Sequence, residues 1–309
     1  MLLFSENCTP QSPRTYFFAY STDFEPKDFD DIYNYVNRYE PYYRFAFFAN
    51  VRIDMKQPDN IQYHSDYNSF NNSIRSHWPD PSLGYLNPKG TDVLKVIERF
   101  LDNTQVPVCG SVIHISLKRY PNELDIDNLV ERIRQSHSIV NVIIPTNPSG
   151  GLYFQTMYNL ATKTNGIGFY GDDLSGYKNN ENNMNYWEQF IYFTYSANVN
   201  VSGHGSVTLP PMSASPSYRH ISITVQDSGV LSTFQNMSLT FHGYNDTYTL
   251  TPENGKQAKD TNFLRGEHTF NETNYSVSLD YQYSDSQQQT LQIRVNGWGP
   301  IDYWIPYAN

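Results

Sequence analysis

Two rhythms of apolar and polar positions divide the chain. Across residues 14–195, short apolar runs alternate with segments whose apolar residues recur at helical spacing, which predicts a parallel sheet covered on both faces by helices. TYFFAY at 15–20 reads as the first strand, and Phe29, Ile32, Tyr33 and Val36, behind Pro26, form one face of the helix that follows. Residues 43–53 predict a second, long strand, and 60–64 pair back on it after the turn Pro58-Asp59-Asn60. Val93, Leu94, Ile97, Phe100 and Leu101 share one face of a helix over 91–101. Strands are expected at 111–117, 139–144 and 166–170, helices at 126–136 and 151–162, and a last helix at 187–195. The expected fold is a doubly wound α/β domain over residues 1–196 with a mostly parallel six-stranded sheet.

From 197 onward the period changes to two. Residues 220–225, 239–241, 275–283 and 291–295 alternate apolar and polar, with Gly, Asn, Asp and Pro clusters between them. That pattern predicts an antiparallel β-sandwich over 197–309, each sheet with one wet face.

Charge and composition narrow the function classes. The 31 acidic against 21 basic residues leave a net charge of −10 with no Lys/Arg block, which argues against nucleic acid as a partner. No apolar run approaches the roughly 20 residues of a bilayer-crossing helix, so no membrane span is expected, and MLLF at the start is too short for a signal peptide. Cys8 and Cys109 fit either two free thiols or one extracellular disulfide. N-x-[ST] sequons occur at Asn7, Asn71, Asn200, Asn236, Asn245, Asn271 and Asn274, close to the number chance gives, but four fall within 236–274 at strand ends and turns.

Catalytic constellations are thin. Asn147-Pro148-Ser149-Gly150-Gly151 lies between a strand and a helix, where backbone amides can hold a phosphate, but it lacks both Lys-[ST] and G-x-G-x-x-G and reads as a turn. His204, His220 and His242 fall in the sandwich without zinc spacing, and solvated strand histidines are the plainer reading. No G-x-S-x-G elbow occurs, and neither cysteine precedes a helix as a nucleophile would. Asp30-Asp31 and Asp172-Asp173 sit at turns or helix starts, where the helix dipole favours carboxylates. No enzyme activity and no cofactor are expected. The 26 tyrosines are more suggestive, because tyrosine offers large contact area at low entropy cost. Tyr281, Tyr283, Trp298, Tyr303, Trp304 and Tyr307 are candidates for stacking on sugar rings, against the plainer reading that most lie in the core or between domains.

The order of elements over 14–195, with a hairpin after the first helix, resembles the von Willebrand factor type A (VWA) fold. Ser21 and Asp23 stand where that family has D-x-S-x-S at the end of its first strand, Phe29 where it has an aromatic, and Gly90-Thr91 where it has G-T before a helix. Segment 140–160 is similar to its strand, loop and helix near the domain end. In the family, this motif, the G-T threonine and an aspartate after the fourth strand hold a divalent cation at the C-terminal edge of the sheet. Here the motif reads Ala19-Tyr20-Ser21-Thr22-Asp23, and Leu117-Lys118-Arg119 stands where the family has T-D-G. The resemblance therefore implies a degenerate metal site, with Ser21, Asp23 and Thr91 as residual ligands, Lys118 and Arg119 opposing a cation, and Asp23 and Thr91 acting as helix caps.

In the family's strand order, 3-2-1-4-5-6, the first and fourth strands are neighbours, so the resemblance places Cys8 and Cys109 at one edge and implies a disulfide. Composition and domain pairing look like the secreted VWA-like proteins expanded in nematodes. What this implies is a secreted or extracellular, non-catalytic recognition or structural protein. An extracellular protein partner would meet Tyr20, Ser21, Asp23, Thr91, Lys118, Arg119, Thr146 and Asn147 directly. Glycan binding by the sandwich is the alternative, and an α/β enzyme using the 147–151 loop is a weaker third.

Overall fold

TYFFAYS forms β1 (Thr15–Ser21) with every residue buried, as an apolar run with no polar alternation requires of a strand covered on both faces. The computed structural model describes residues 8–38, 44–86, 88–171, 192–226, 233–257, 262–297, 299 and 301–308. Asn7, Asp172, Asp173 and Trp298 lie outside them.

Alternate side chains of β1 serve two layers. Phe17 and Ala19 enter a core with Val96, Ile97 and Phe100 of α3 (Val93–Leu101), Leu129 and Ile133 of α4 (Asp127–Gln135), and Met157 and Leu160 of α5 (Gln155–Lys163). Tyr16, Phe18 and Tyr20 face an aromatic layer instead, Tyr20 lying 4.7 Å from Phe29 of α1 (Pro26–Arg38) and Tyr16 5.9 Å from Phe70 of α2 (Tyr67–Ser76). α2 is not foreseen from the pattern, because Phe70 and Ile74 are its only buried residues and the amphipathic signal is sparse; Asp66 caps it by accepting from Ser69 N–H at 2.9 Å.

The remaining strands of this sheet are β2 (Phe47–Ile53), β3 (Gln62–His64), β4 (Val112–Ser116), β5 (Ile139–Ile144) and β6 (Gly168–Tyr170). Their order is β3-β2-β1-β4-β5-β6, with β3 antiparallel to β2 and every other pair parallel. This is the mostly parallel six-stranded sheet expected from the sequence, in the expected order. Cys8 and Cys109 are joined by a disulfide, their Cα atoms 5.5 Å apart.

The second part is an antiparallel sandwich. One sheet has the order β11 (Thr247–Leu250), β10 (Phe234–His242), β14 (Asn274–Tyr283), β8 (His204–Ser213). The other runs β12 (Lys256–Gln257), β13 (Phe263–Phe270), β9 (Ser217–Thr224), β15 (Gln289–Gly297), β7 (Tyr192–Val201). Inward side chains such as Ile221, Ile223, Leu239, Phe241, Leu279 and Ile293 make its core. The helix expected over 187–195 is corrected where the structure describes it: β7 begins at Tyr192, and Phe193, Tyr195, Ala197, Val199 and Val201 are buried at period two, while residues 187–191 lie outside the described residues. β7 thus crosses the boundary expected at 196/197.

The wet outer face expected of both sheets holds for β10 and β14, where His242, Ser276 and Asp280 are exposed. It fails for the five-stranded sheet, where His220, Ser222, Thr224, Arg265, Gln292 and Arg294 are buried polar groups. Several are paired inside the sheet: Thr224 Oγ1 donates to Gln292 Oε1 at 2.6 Å and Arg294 donates to Ala197 O at 2.9 Å, while Arg265 pairs with Glu267.

The chain divides into two compact units, Met1–Leu174 with Asp302–Trp304, and Ser175–Ile301 with Ile305–Asn309. Within the first unit Trp304 stacks on His137 with ring centroids 4.6 Å apart, and Gly110, at φ +63°, leaves no room there for a Cβ.

Candidate functional site

The parallel strands deliver Ser21, Asp54 and the loops after β4 and β5 to the C-terminal edge of the sheet. Asp54 follows β2 at φ +69°, in the left-handed region that aspartate tolerates better than most residues. It is fully buried, and Ser21 Oγ donates to its Oδ2 at 2.5 Å. Its backbone N–H donates to Asp92 Oδ1 at 2.9 Å, and Tyr85 OH donates to the other Asp92 oxygen at 3.3 Å. Asp54 Oδ1 is buried without a hydrogen-bond partner among the described residues, although the Thr91 hydroxyl stands close enough to act on the carboxyl. Burial pushes the Asp54 carboxyl up to about 7; the Ser21 and Thr91 hydroxyls pull against that, and the Asp92 and Asp23 charges add to it.

Asp23 and Arg119 form the charged centre. Arg119 Nε donates to Asp23 Oδ2 at 2.5 Å, and its two terminal nitrogens donate to Lys89 O at 2.9 Å and Tyr85 O at 2.7 Å. Asp23 is therefore not a helix cap as expected, because its carboxylate turns to the guanidinium. Thr91 stands one residue ahead of Asp92, the N-cap position of α3, and its Oγ1 accepts from Val93 N–H at 3.2 Å. Gly84 lets the chain pass, since a Cβ there would lie 2.2 Å from Asp23 Oδ1.

This arrangement does not fit a divalent cation. Arg119 already neutralises the Asp23 carboxylate, Ala19 supplies no oxygen, and no group of three or more His, Cys, Asp or Glu able to hold a metal exists among the described residues.

Of the eight residues expected to meet a partner, Tyr20, Ser21, Thr91 and Arg119 are buried and cannot touch one in this conformation, and the Asp23 carboxylate lies beneath Arg119. Lys118 and Thr146 are half-buried, and Asn147 is exposed. The reason is common to the buried four: each is spent on neutralising or hydrogen-bonding the interior of the edge. Sequence reasoning missed Asp54, Asp92 and Tyr85; of these only Asp54 carries a signal, as an aspartate directly after a strand.

It also missed the outer surface of this edge. Leu86, Leu124 and Leu152 are 79%, 59% and 66% exposed, one on each of three loops. Backbone bonds tie those loops together, Gly151 N–H donating to Pro88 O at 3.3 Å, Leu152 N–H to Pro121 O at 3.3 Å and Tyr120 N–H to Gly150 O at 2.8 Å. Gly151, at φ +85°, permits the contact, because a Cβ would fall 1.9 Å from Tyr120 O. The 147–151 segment is thus a packed turn.

The other expected groups scatter. His220 lies in the five-stranded sheet, and His204 and His242 lie in the four-stranded one. Tyr283 is buried and Trp304 is stacked on His137, whereas Tyr303 is exposed. Among the sequons, Asn200, Asn236, Asn245, Asn271 and Asn274 are exposed; Asn71 is half-buried and accepts from Tyr33 OH.

A family model described as a domain of unknown function (DUF7154) matches residues 197–298. No curated protein matches in sequence. Among solved structures, the human COPII-coat protein Sec24c is similar over 92% of this chain at 8% identity and a TM-score of 0.40; the chain spans 43% of that protein's length. The acid-stable capsid of Helicobacter pylori bacteriophage KHP30 is similar over 35% of this chain and 90% of its own, at 15% identity and TM-score 0.23. The CBM22-1 xylan-binding domain of Paenibacillus barcinonensis Xyn10C is similar over 34% and 93%, at 13% identity and TM-score 0.20. Scores this low transfer nothing from those proteins to this one.

Proposed function

We propose that this is a secreted or extracellular, non-catalytic recognition protein whose first unit, a VWA-like domain, binds a protein partner directly and without a metal ion. The observation that carries the reading is the set of Leu86, Leu124 and Leu152, exposed on three mutually bonded loops at the C-terminal edge of the sheet. Single exposed leucines are ordinary, but one on each of three adjoining loops makes an apolar surface of the kind partners cover. The buried Arg119 and Asp23 pair gives that edge a neutral, fixed floor in place of an ion. A disulfide suits an oxidising compartment and so supports the extracellular part of the reading. Glycan binding by the sandwich has less support, because Tyr283 is buried and Trp304 belongs to the first unit, stacked on His137.

The test is capture of a partner from native extract by the immobilised full chain, by wild type and by a Leu86→Glu/Leu152→Glu variant, each with and without EDTA. Wild type is expected to retain the same partner in both conditions, and the variant to lose it while melting normally. Retention by the variant, or loss of the partner on adding EDTA, overturns the proposal.

A further inference from the structure

Among the described residues of the sandwich, the most exposed large hydrophobic side chain sits beside a sequon. Gly243, Tyr244, Asn245 and Asp246 form the loop between β10 and β11, and the Tyr244 ring is 93% exposed. The backbone under it is held tightly. Glu272, in the loop between β13 and β14, accepts from Tyr244 N–H at 2.6 Å and Asn245 N–H at 2.5 Å. In return the Asp246 carboxylate accepts from Asn271 N–H at 3.0 Å and Tyr275 OH at 2.5 Å, and lies 3.1 Å from His268 Nε2. Each loop clamps the other, so a fixed backbone holds Tyr244 out in water, a placement with no benefit to the sandwich core.

We infer that Asn245 carries an N-linked glycan whose first sugar ring packs against Tyr244. Asn245-Asp246-Thr247 is a complete sequon, with Asn245 and Thr247 both exposed. The C–H face of a pyranose is apolar, and an adjacent aromatic face suits it. The neighbouring sequons lack that partner: Phe270 before Asn271 and Tyr275 after Asn274 are both buried. Asn200 and Asn236 engage their side-chain oxygens with Thr290 Oγ1 and Met237 N–H, each at 2.8 Å.

In the modification, the Asn245 Nδ2 forms a bond to C1 of an oligosaccharide carried on a lipid diphosphate. The C1–O bond breaks, the lipid diphosphate leaves with the electron pair, and one amide proton passes to a base of the transferase. Nothing is oxidised or reduced.

This inference rests on the secretory reading above. The test expresses the full chain through the secretory pathway of eukaryotic cells and measures occupancy at each sequon peptide by mass spectrometry. Melting is then compared for the intact glycoprotein, for protein trimmed to one N-acetylglucosamine per site, and for fully deglycosylated protein. Asn245 is expected to be occupied, with the first two forms melting about 2–4 °C above the third. Tyr244→Ala should remove that difference and Tyr244→Phe should keep it. An empty Asn245 beside occupied sequons elsewhere overturns the inference and leaves the secretory reading standing, as does a difference unmoved by Tyr244→Ala. A secreted chain with no occupied sequon overturns both.

Discussion

Arg119 places its Nε 2.5 Å from Asp23 Oδ2 across 96 residues of sequence, and both side chains are almost fully buried. Removing one member of such a pair strands the other charge in a site water cannot reach. Arg119→Ala should therefore cost the first unit about 3–5 kcal/mol, while Asp23→Leu/Arg119→Met should cost much less than the two single changes added. Arg119→Lys should recover only part, because one ammonium cannot reproduce the fork that serves Asp23, Lys89 O and Tyr85 O together. Urea denaturation of the single and double variants checks this, and additive losses would contradict it.

Asp54 predicts a pH dependence of definite sign. Its carboxyl has a folded pKa near 7 against an ordinary 3.8, so the folded chain holds the proton more tightly than the unfolded chain does. That contribution is fully present below about pH 4 and is lost as pH rises through 7. Asp54→Asn lacks the titration, so its stability relative to wild type should rise between pH 4 and pH 8, by up to about 4 kcal/mol. An equal difference at the two pH values would count against a buried, titrating Asp54.

His114 works in the opposite direction. It is buried on β4 between the Tyr16 and Phe18 rings, and burial lowers its pKa to about 3. The unfolded chain takes up the proton first, so stability from the neutral imidazole is present above about pH 6.5 and is lost as pH falls toward 3. Urea midpoints measured at pH 7.5 and 4.5 should fall less in His114→Gln than in wild type.

The disulfide closes a loop between residues 101 apart in sequence. A crosslink of that span restricts the unfolded chain by about 4–5 kcal/mol in the chain-entropy model. Cys8→Ser/Cys109→Ser, or reduction of the wild type, should lower the stability of the first unit by about that much, with the sandwich transition unmoved in calorimetry.

How far the site was legible follows from the range of each interaction. The place of Thr91 at the start of a helix was readable because its partner, Val93 N–H, lies two residues away. The destination of the Asp23 carboxylate was not, since the same sequence suits a helix start at Pro26 equally well and only the packed edge brings Arg119 to it. Asp54 carried almost no local signal, because an aspartate after a strand is an ordinary turn residue until its surroundings exclude water.

The amino-acid sequence by itself determined the two-part architecture, the helical period of the first half and the two-residue period of the second, because periodicity is a local record of which face each element buries. It also carried the absence of the first aspartate at Ala19. Only the tertiary structure decided that β7 begins at Tyr192, that Trp304 returns to the first unit, and that Arg119 occupies the charge of the edge. Those outcomes depend on contacts between residues far apart in sequence, whose energies exist only once the fold has removed the water between them.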